Sequence, residues 1–333
     1  MTKIAVFFGG KISRHLVLVK KAAEKLGQEL DLISYNKVFF DTLDGEVKLK
    51  GKNVMDYDVL FFRTTGKHWE EVDLILDSIR DGDKGRPQIV DPIVEFGKPS
   101  FARKAWQMLK LTEAGIEVPR TIYGSLWTLY EYMSEINSRG VFFASCESTE
   151  QAQRPQKTLT LNLSDNEISF PVIIKGSGGN RGERVYKVNN LEEMEKLVRE
   201  IRKTETEEGR RYMLQEYIAN DGDYRVLVVG EKVLGAMKRS SQSKNEFRNN
   251  YSAGGKVEVA ELPQEIYEMA IRAAKTCGIA IAGVDVAFRD KERKRPVVWE
   301  VNKGPQFKGF MKATGIDAPA EIVKYLVSLC KNS

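Results

Sequence analysis

A chain of 333 residues holds roughly two domains at about 150 residues each, which excludes a miniprotein. Hydrophobic residues at 42% and charged residues at 30% give the balance of a folded globular protein, so disordered and collagen-like classes fall away. Lys plus Arg number 52 against 47 Asp plus Glu, and this +5, spread along the chain, does not point to nucleic acid but suits small polyanionic ligands.

Cys146, Cys277 and Cys330 stand far apart and the histidines are His15 and His68, so neither a zinc set nor a disulfide framework is expected. The opening MTKIAVFFGG has no long apolar core of a secretion signal. The most apolar later stretch, 277–288, is far short of the ~20 residues of a membrane span. A cytoplasmic, reduced chain with no membrane partner is the expectation.

IAVFF, Gly9-Gly10 and the helical spacing of 16–26 read as strand, tight turn and helix. LDLIS is a second strand, DTLDGEVKLKG a polar hairpin, YDVLFFR at 57–63 a strand, 72–79 a helix and QIVDP a short buried strand stopped by proline. The alternation predicts a small parallel α/β domain over 1–97. A helix over 101–114 ends at Gly115 and the Val118-Pro119 pair. Residues 137–169 read as a polar, irregular insertion in which TLTLNL at 158–163 alternates as a solvated strand. VIIK at 172–175, VYKV at 185–188 and the amphipathic helix 191–203 make an α+β lid, so 98–214 is a central subdomain. From 215 to 333 the pattern is antiparallel: YMLQEYI, a hairpin turning at 230–232, a helix over 264–276, and AGVDVAF and PVVWEVN joined by the charged turn RDKERKR.

Three constellations carry chemistry. Lys175 leads into GSGGNRG, where glycines at 176, 178, 179 and 182 let backbone N–H groups close on phosphate oxygens. A surface lysine before a flexible turn is the competing reading. Glu300 and Asn302, two apart on a strand, share a face, and a hairpin would bring Asp285 alongside, which makes a hard-oxygen set for Mg²⁺. Asp285 lies among Gly283, Val284, Val286 and Ala287, where an unpaired acid is costly. Arg225, Lys238, Arg239 and Arg248 form a cationic set suited to a triphosphate, or else a solvated basic strand face. His15 either lines a substrate pocket or is a surface histidine at a helix start.

The stretches ARKAWQMLKLTEAGIEVPRT, FPVIIKGSGGNRGERV, LQEYI, DYRVLVVGEKVLGAMKR, EFRNN with the later AGG, AGVDVAF and WEVNKGPQFKGFMKATGID occur in this order over about 103–317. In that order the chain resembles the ATP-grasp carboxylate–amine ligases, specifically the RimK-like branch. The resemblance implies an ATP-grasp fold of mixed α/β and α+β class, with an N-terminal parallel α/β domain (1–97), a central lid subdomain (98–214) and a C-terminal antiparallel-sheet subdomain with the metal site (215–333). It implies that Lys104 and Lys175 touch ATP phosphates beside Gly178, Gly179 and Gly182, that Gln215, Glu216, Tyr217 and Ile218 contact adenine, and that Asp223 lies on the ribose side. Arg248 then reaches the γ-phosphate or acyl phosphate, with Arg225 and Lys238 in the same catalytic set, and Asp285, Glu300 and Asn302 hold two Mg²⁺ ions, for which Mn²⁺ can substitute.

The implied chemistry is phosphorylation of a carboxylate by ATP, attack of an amine on the acyl phosphate and release of phosphate, which needs charge neutralisation and exclusion of water. The implied partners are a carboxylate and an amine substrate, amino acid or peptide, in a homodimer or homotetramer. A non-catalytic ATP-binding scaffold and a ribosomal-peptide macrocyclase are the alternatives. Two departures from relatives stand out: Arg184 where a loop glycine is common, and Lys303-Gly304-Pro305-Gln306 in place of a small-residue turn.

Overall fold

The structure, a computed structural model, describes residues 1–43, 45–80, 85–94, 104–146, 168–176, 184–204, 211–220, 222–240 and 256–330. The expected strand at 158–163, Gly178, Gly179, Gly182 and Arg248 lie outside the described residues. In chain order the elements begin with β1 (Lys3–Phe8), α1 (Arg14–Lys25), β2 (Glu29–Ser34), β3 (Val38–Phe40), β4 (Val47–Leu49), β5 (Lys52–Asn53), β6 (Val59–Phe62), α2 (Trp69–Arg80) and β7 (Gln88–Val90). Then follow α3 (Lys104–Glu113), β8 (Thr121–Gly124), α4 (Leu126–Cys146), β9 (Val172–Gly176), β10 (Val185–Val188), α5 (Leu191–Thr204) and β11 (Tyr212–Glu216). The last are β12 (Asp223–Val229), β13 (Lys232–Ser240), β14 (Lys256–Ala260), α6 (Gln264–Thr276), β15 (Ile281–Phe288), β16 (Pro296–Lys303), α7 (Lys308–Thr314) and α8 (Ala318–Ser328).

Contacts divide the chain into two units: Met1–Ala102 with Trp106–Glu117 and Asn220–Ser333, and Arg103–Ala105 with Val118–Ala219. The first and last of the three segments read from the sequence therefore form one body. Their shared core is the reason: Ile4, Val6 and Phe61 of the N-terminal sheet and Leu16 and Val19 of α1 cluster with Leu227, Ile281, Phe310, Ile322 and Leu326. Fully burying each such side chain contributes about 1.5–3 kcal/mol.

In the larger unit the N-terminal sheet is parallel, ordered β2-β1-β6-β7, as the strand–helix alternation predicts. The polar hairpin becomes the small antiparallel sheet β3-β4-β5. A five-stranded antiparallel sheet runs β14-β13-β12-β15-β16. One end of one of its faces carries Leu227, Val229, Met237 and Ile281 into the shared core, while α6 packs across β12, β15 and β16 through Ile266, Met269, Ala270 and Ala273.

The smaller unit is a four-stranded antiparallel sheet, β10-β9-β11-β8. Val172, Ile174, Val188 and Leu214 face Leu129 and Met133 of α4 and Met194 and Val198 of α5. Helix α4 runs to Cys146, into the segment expected to be irregular; its first part, 126–136, spaces Leu126, Leu129 and Met133 for one buried face. Among the described residues no helix is long and apolar enough to cross a membrane.

Candidate functional site

Strand register, which fixes the face of every side chain, decides which expected residues meet. On β15 and β16 Asp285 stands opposite Glu300 and Gly283 opposite Asn302, so the two acids and the amide share one face. On β12 Arg225 stands opposite Asp285, and Asp223 opposite Arg239 of β13, on that same face. Lys238 pairs in register with Tyr224 and Glu258 and so belongs to the other face, with its ammonium 6.0 Å from the Tyr224 ring. The structure thus does not bring Lys238 together with Arg225 and Arg239.

Asp285, 5% exposed, accepts from Arg225 Nε at Oδ1 and from Arg225 Nη2 at Oδ2, both at 2.7 Å. Arg239 Nη2 lies 3.0 Å from Oδ2, and Asn302 Nδ2 donates to Oδ2 at 3.0 Å and to Gly283 O at 3.3 Å. Burial by itself would raise the Asp285 pKa, but the charges and hydrogen bonds of Arg225 and Arg239 outweigh it and bring it to about 2. Asp285 is therefore anionic at neutral pH. Asp223 also gives both oxygens to Arg239, at 2.8 and 2.6 Å. That buried carboxylate serves as counter-ion to Arg239.

Hard oxygens on adjacent strands are the donor type that suits a divalent cation; Asp285 is held ionised, and its Oδ1 accepts a single hydrogen bond among those described, so lone-pair capacity remains. No group of three or more His, Cys, Asp or Glu that could hold a metal ion occurs among the described residues.

A residue that sequence reasoning passed over supports this set. Gln107 of α3, 3% exposed, donates from Nε2 to Val301 O at 2.8 Å and accepts at Oε1 from Val301 N at 3.2 Å. It pairs the outer edge of β16 between Glu300 and Asn302 as another strand would. The signal available was a glutamine at a helix position whose neighbours Met108 and Leu111 are core.

In the smaller unit Lys175, next to last in β9, stands opposite Met213 and Val185, and Gln215 stands opposite Ile173, so Lys175 and Gln215 share the face away from α4 and α5. Gln215 Nε2 donates to Thr121 Oγ1 at 2.8 Å, and Arg120 N donates to Glu216 Oε1 at 2.7 Å. The Lys187 ammonium lies 3.8 Å from the Tyr217 ring centroid, and Ile218 is buried. Lys104 is the first residue of α3. Arg184 adopts φ 58° and its carbonyl accepts from Gly176 N at 3.0 Å, so an arginine occupies a left-handed position where the family often has glycine.

A parallel N-terminal sheet, an antiparallel sheet bearing Asp, Glu and Asn oxygens beside arginines, and a smaller antiparallel unit with a lysine at a strand end define an ATP-grasp protein. The family model of the RimK-like ATP-grasp domain matches residues 146–326, more than half of the chain, and the protein belongs to that family. A probable alpha-L-glutamate ligase 1 of Shewanella frigidimarina is 42% identical over 123 residues, 36% of this chain and 40% of the relative. A probable alpha-L-glutamate ligase 2 of Pseudoalteromonas atlantica is 27% identical over 317 residues, 94% of this chain and 91% of the relative. The first of these matches thus spans less than half of the relative's length. Among solved structures, the RimK domain ATP-grasp protein of Sphaerobacter thermophilus has a TM-score of 0.64 at 15% identity, covering 97% of this chain and 99% of that one. The ATP-grasp ligase PsnB, in a complex with a precursor variant, Mg and ADP, has a TM-score of 0.68 at 15% identity with 99% of each chain covered. These two likenesses are of fold.

Proposed function

We propose that the protein is an ATP-dependent ligase that converts a carboxylate to an acyl phosphate and joins it to an amine, releasing ADP and phosphate. The observation that carries this reading is the placement of Asp285, Glu300 and Asn302 on one face of adjacent strands in a chain of the RimK-like family. Those three residues would hold Mg²⁺, which supplies neutralisation of phosphate charge when bound. Arg225 and Arg239 keep Asp285 ionised for that role. Lys104 and Lys175 bind phosphate oxygens, the backbone of Gln215, Glu216, Tyr217 and Ile218 orients adenine, and Arg248 stabilises the charge of the transferred phosphoryl group. Asp223 acts through Arg239 rather than on the nucleotide. The name of the relatives, alpha-L-glutamate ligase, supports an amino acid as one substrate.

The reaction is tested by ADP and phosphate release with Mg²⁺ and ATP across amino acids, small carboxylates and peptides, with Glu300→Gln as the control. Stimulation by a carboxylate–amine pair is expected, falling on the order of 100-fold in Glu300→Gln. Turnover at the wild-type level in that variant would remove Glu300 from the site, and nucleotide binding with no turnover on any pair would favour the scaffold.

A further inference from the structure

Strand β16 is the last in the five-stranded sheet, so one of its edges has no strand beside it. It is also irregular. Glu300 stands opposite Asp285, but the next pair is Val298 with Val286, so Trp299 is an extra residue without a counterpart on β15, a β-bulge. In an unbroken strand Val298, Glu300 and Asn302 would share one face. Here Val298 and Val301 stand opposite Val286 and Val284, and all four are buried, while Glu300 and Asn302 stand opposite Asp285 and Gly283 on the other face. A bulge bends the strand and raises its local twist, so the directions of Glu300 and Asn302 depend on how the residues beside Trp299 are held.

Two contacts hold the outer edge, one on each side of the bulge. Val298 N donates to Glu117 O at 2.8 Å, just beyond the end of α3. Val301 N donates to Gln107 Oε1 at 3.2 Å, and Val301 O accepts from Gln107 Nε2 at 2.8 Å. Backbone groups along an antiparallel strand point alternately to its two edges. With those of Val301 turned to Gln107, those of Glu300 and Asn302 are turned to β15. Gln107 is 3% exposed, and its amide offers a neutral donor and acceptor side by side, as the backbone of one residue requires. A buried N–H and C=O left unpaired are costly, so without Gln107 this edge must shift or admit water. Glu300 and Asn302, the residues on either side of Val301, would move with it.

We propose that Gln107 is a positioning residue for the metal-binding face: by clamping Val301 beside the bulge at Trp299, it fixes the directions of Glu300 and Asn302. The proposal rests on the reading of Asp285, Glu300 and Asn302 as the Mg²⁺ set. Gln107 acts through the backbone of Val301, which both ends of its amide bond, and its effect belongs in the metal dependence of nucleotide binding.

The test is calorimetric binding of ADP with Mg²⁺ and with EDTA, alongside urea unfolding, for wild type, Gln107→Met, Gln107→Asn, Leu111→Ala and Glu300→Gln. In wild type Mg²⁺ should tighten ADP binding, and Glu300→Gln should remove most of that gain. Gln107→Met should weaken ADP binding about tenfold with Mg²⁺ and by less than about twofold with EDTA, the lower end of the losses seen when the support of a metal ligand is removed. Gln107→Asn, one methylene too short to make both bonds, should show the same split and stands in if Gln107→Met fails to fold. Leu111→Ala removes apolar packing from the same helix, so it should lose stability while keeping the wild-type Mg²⁺ effect. A Mg²⁺ effect lost in Glu300→Gln but unchanged in the Gln107 variants, or lost equally in Leu111→Ala, overturns the positioning role and leaves the metal set standing. No Mg²⁺ effect in wild type overturns the metal set itself.

Discussion

The larger unit contains two buried ionic clusters made from similar side chains and completed to different degrees. On the five-stranded sheet Asp285 and Asp223 meet Arg225 and Arg239, and guanidinium forks give each acid paired bonds of 2.6 to 2.8 Å. At the carboxyl edge of the N-terminal sheet Asp91 meets Lys303 at 3.9 Å, Arg63 is turned to Pro305 O, and charged atoms are left without partners. The difference follows from the ions: a planar fork matches a carboxylate with two parallel bonds, whereas an ammonium is a point charge that needs close approach. The first cluster is internally neutral and preorganised. The second sets Lys303 and Arg63 near the single carboxylate of Asp91 without a fork between them.

Breaking the closed cluster should have the largest effect. Arg239→Met leaves Asp223 buried without its counter-ion, and a loss of about 3–5 kcal/mol is expected in urea unfolding; a loss under about 1 kcal/mol would show that the forks are not closed in solution. Asp91→Asn, which keeps the acceptor for Ala280 N and Ile281 N, should cost less, about 1–3 kcal/mol. A cost equal to that of Arg239→Met would erase the contrast between the clusters. Gln107→Ala strips Val301 of two hydrogen bonds beside the acid set, and about 1–2 kcal/mol of stability should go with them.

The open cluster also has a pH signature. The folded His15 pKa, lowered to about 4 by burial and then by the charges of Arg63 and Lys308, lies below its unfolded value near 6.5, so between those values the unfolded chain binds the proton and the folded chain does not. The contribution of His15 is therefore full above about pH 6.5 and is lost progressively as pH falls toward 4. Stability measured across that window should decline less steeply in His15→Gln than in wild type, and parallel profiles would show that His15 is not desolvated by its surroundings. The smallest effect belongs to the other unit: Arg184→Gly relieves a left-handed backbone and should gain up to about 1 kcal/mol, read as a rise in the urea midpoint of the transition that reports that unit.

Much of the fold was legible because its strands and helices have distinct periods. The hairpin turn at 230–232, the helix at 264–276 and the strand pair of Asp285 with Glu300 and Asn302 all follow from local pattern. Lys238 was grouped with Arg225 and Arg239 because all three occur on one hairpin, yet alternation assigns it to the opposite face once Asp223 is set against Arg239. A sequence states the alternation within a strand but not the register between strands. For the same reason the pairing of Asp223 with Arg239 was not visible.

Residues acting over long sequence distances were the least legible. Gln107 reaches Val301 across 194 positions, and Asp91 reaches Ala280 across 189, with no periodic or compositional trace of either contact. The sequence by itself determined the strand and helix types, the hard-oxygen donors and the family motifs, because these depend on neighbours a few residues away. The tertiary structure alone decided that the first and last thirds share one core, which acids are closed by arginine forks and which are not, because ion pairing depends on which distant side chains are buried together.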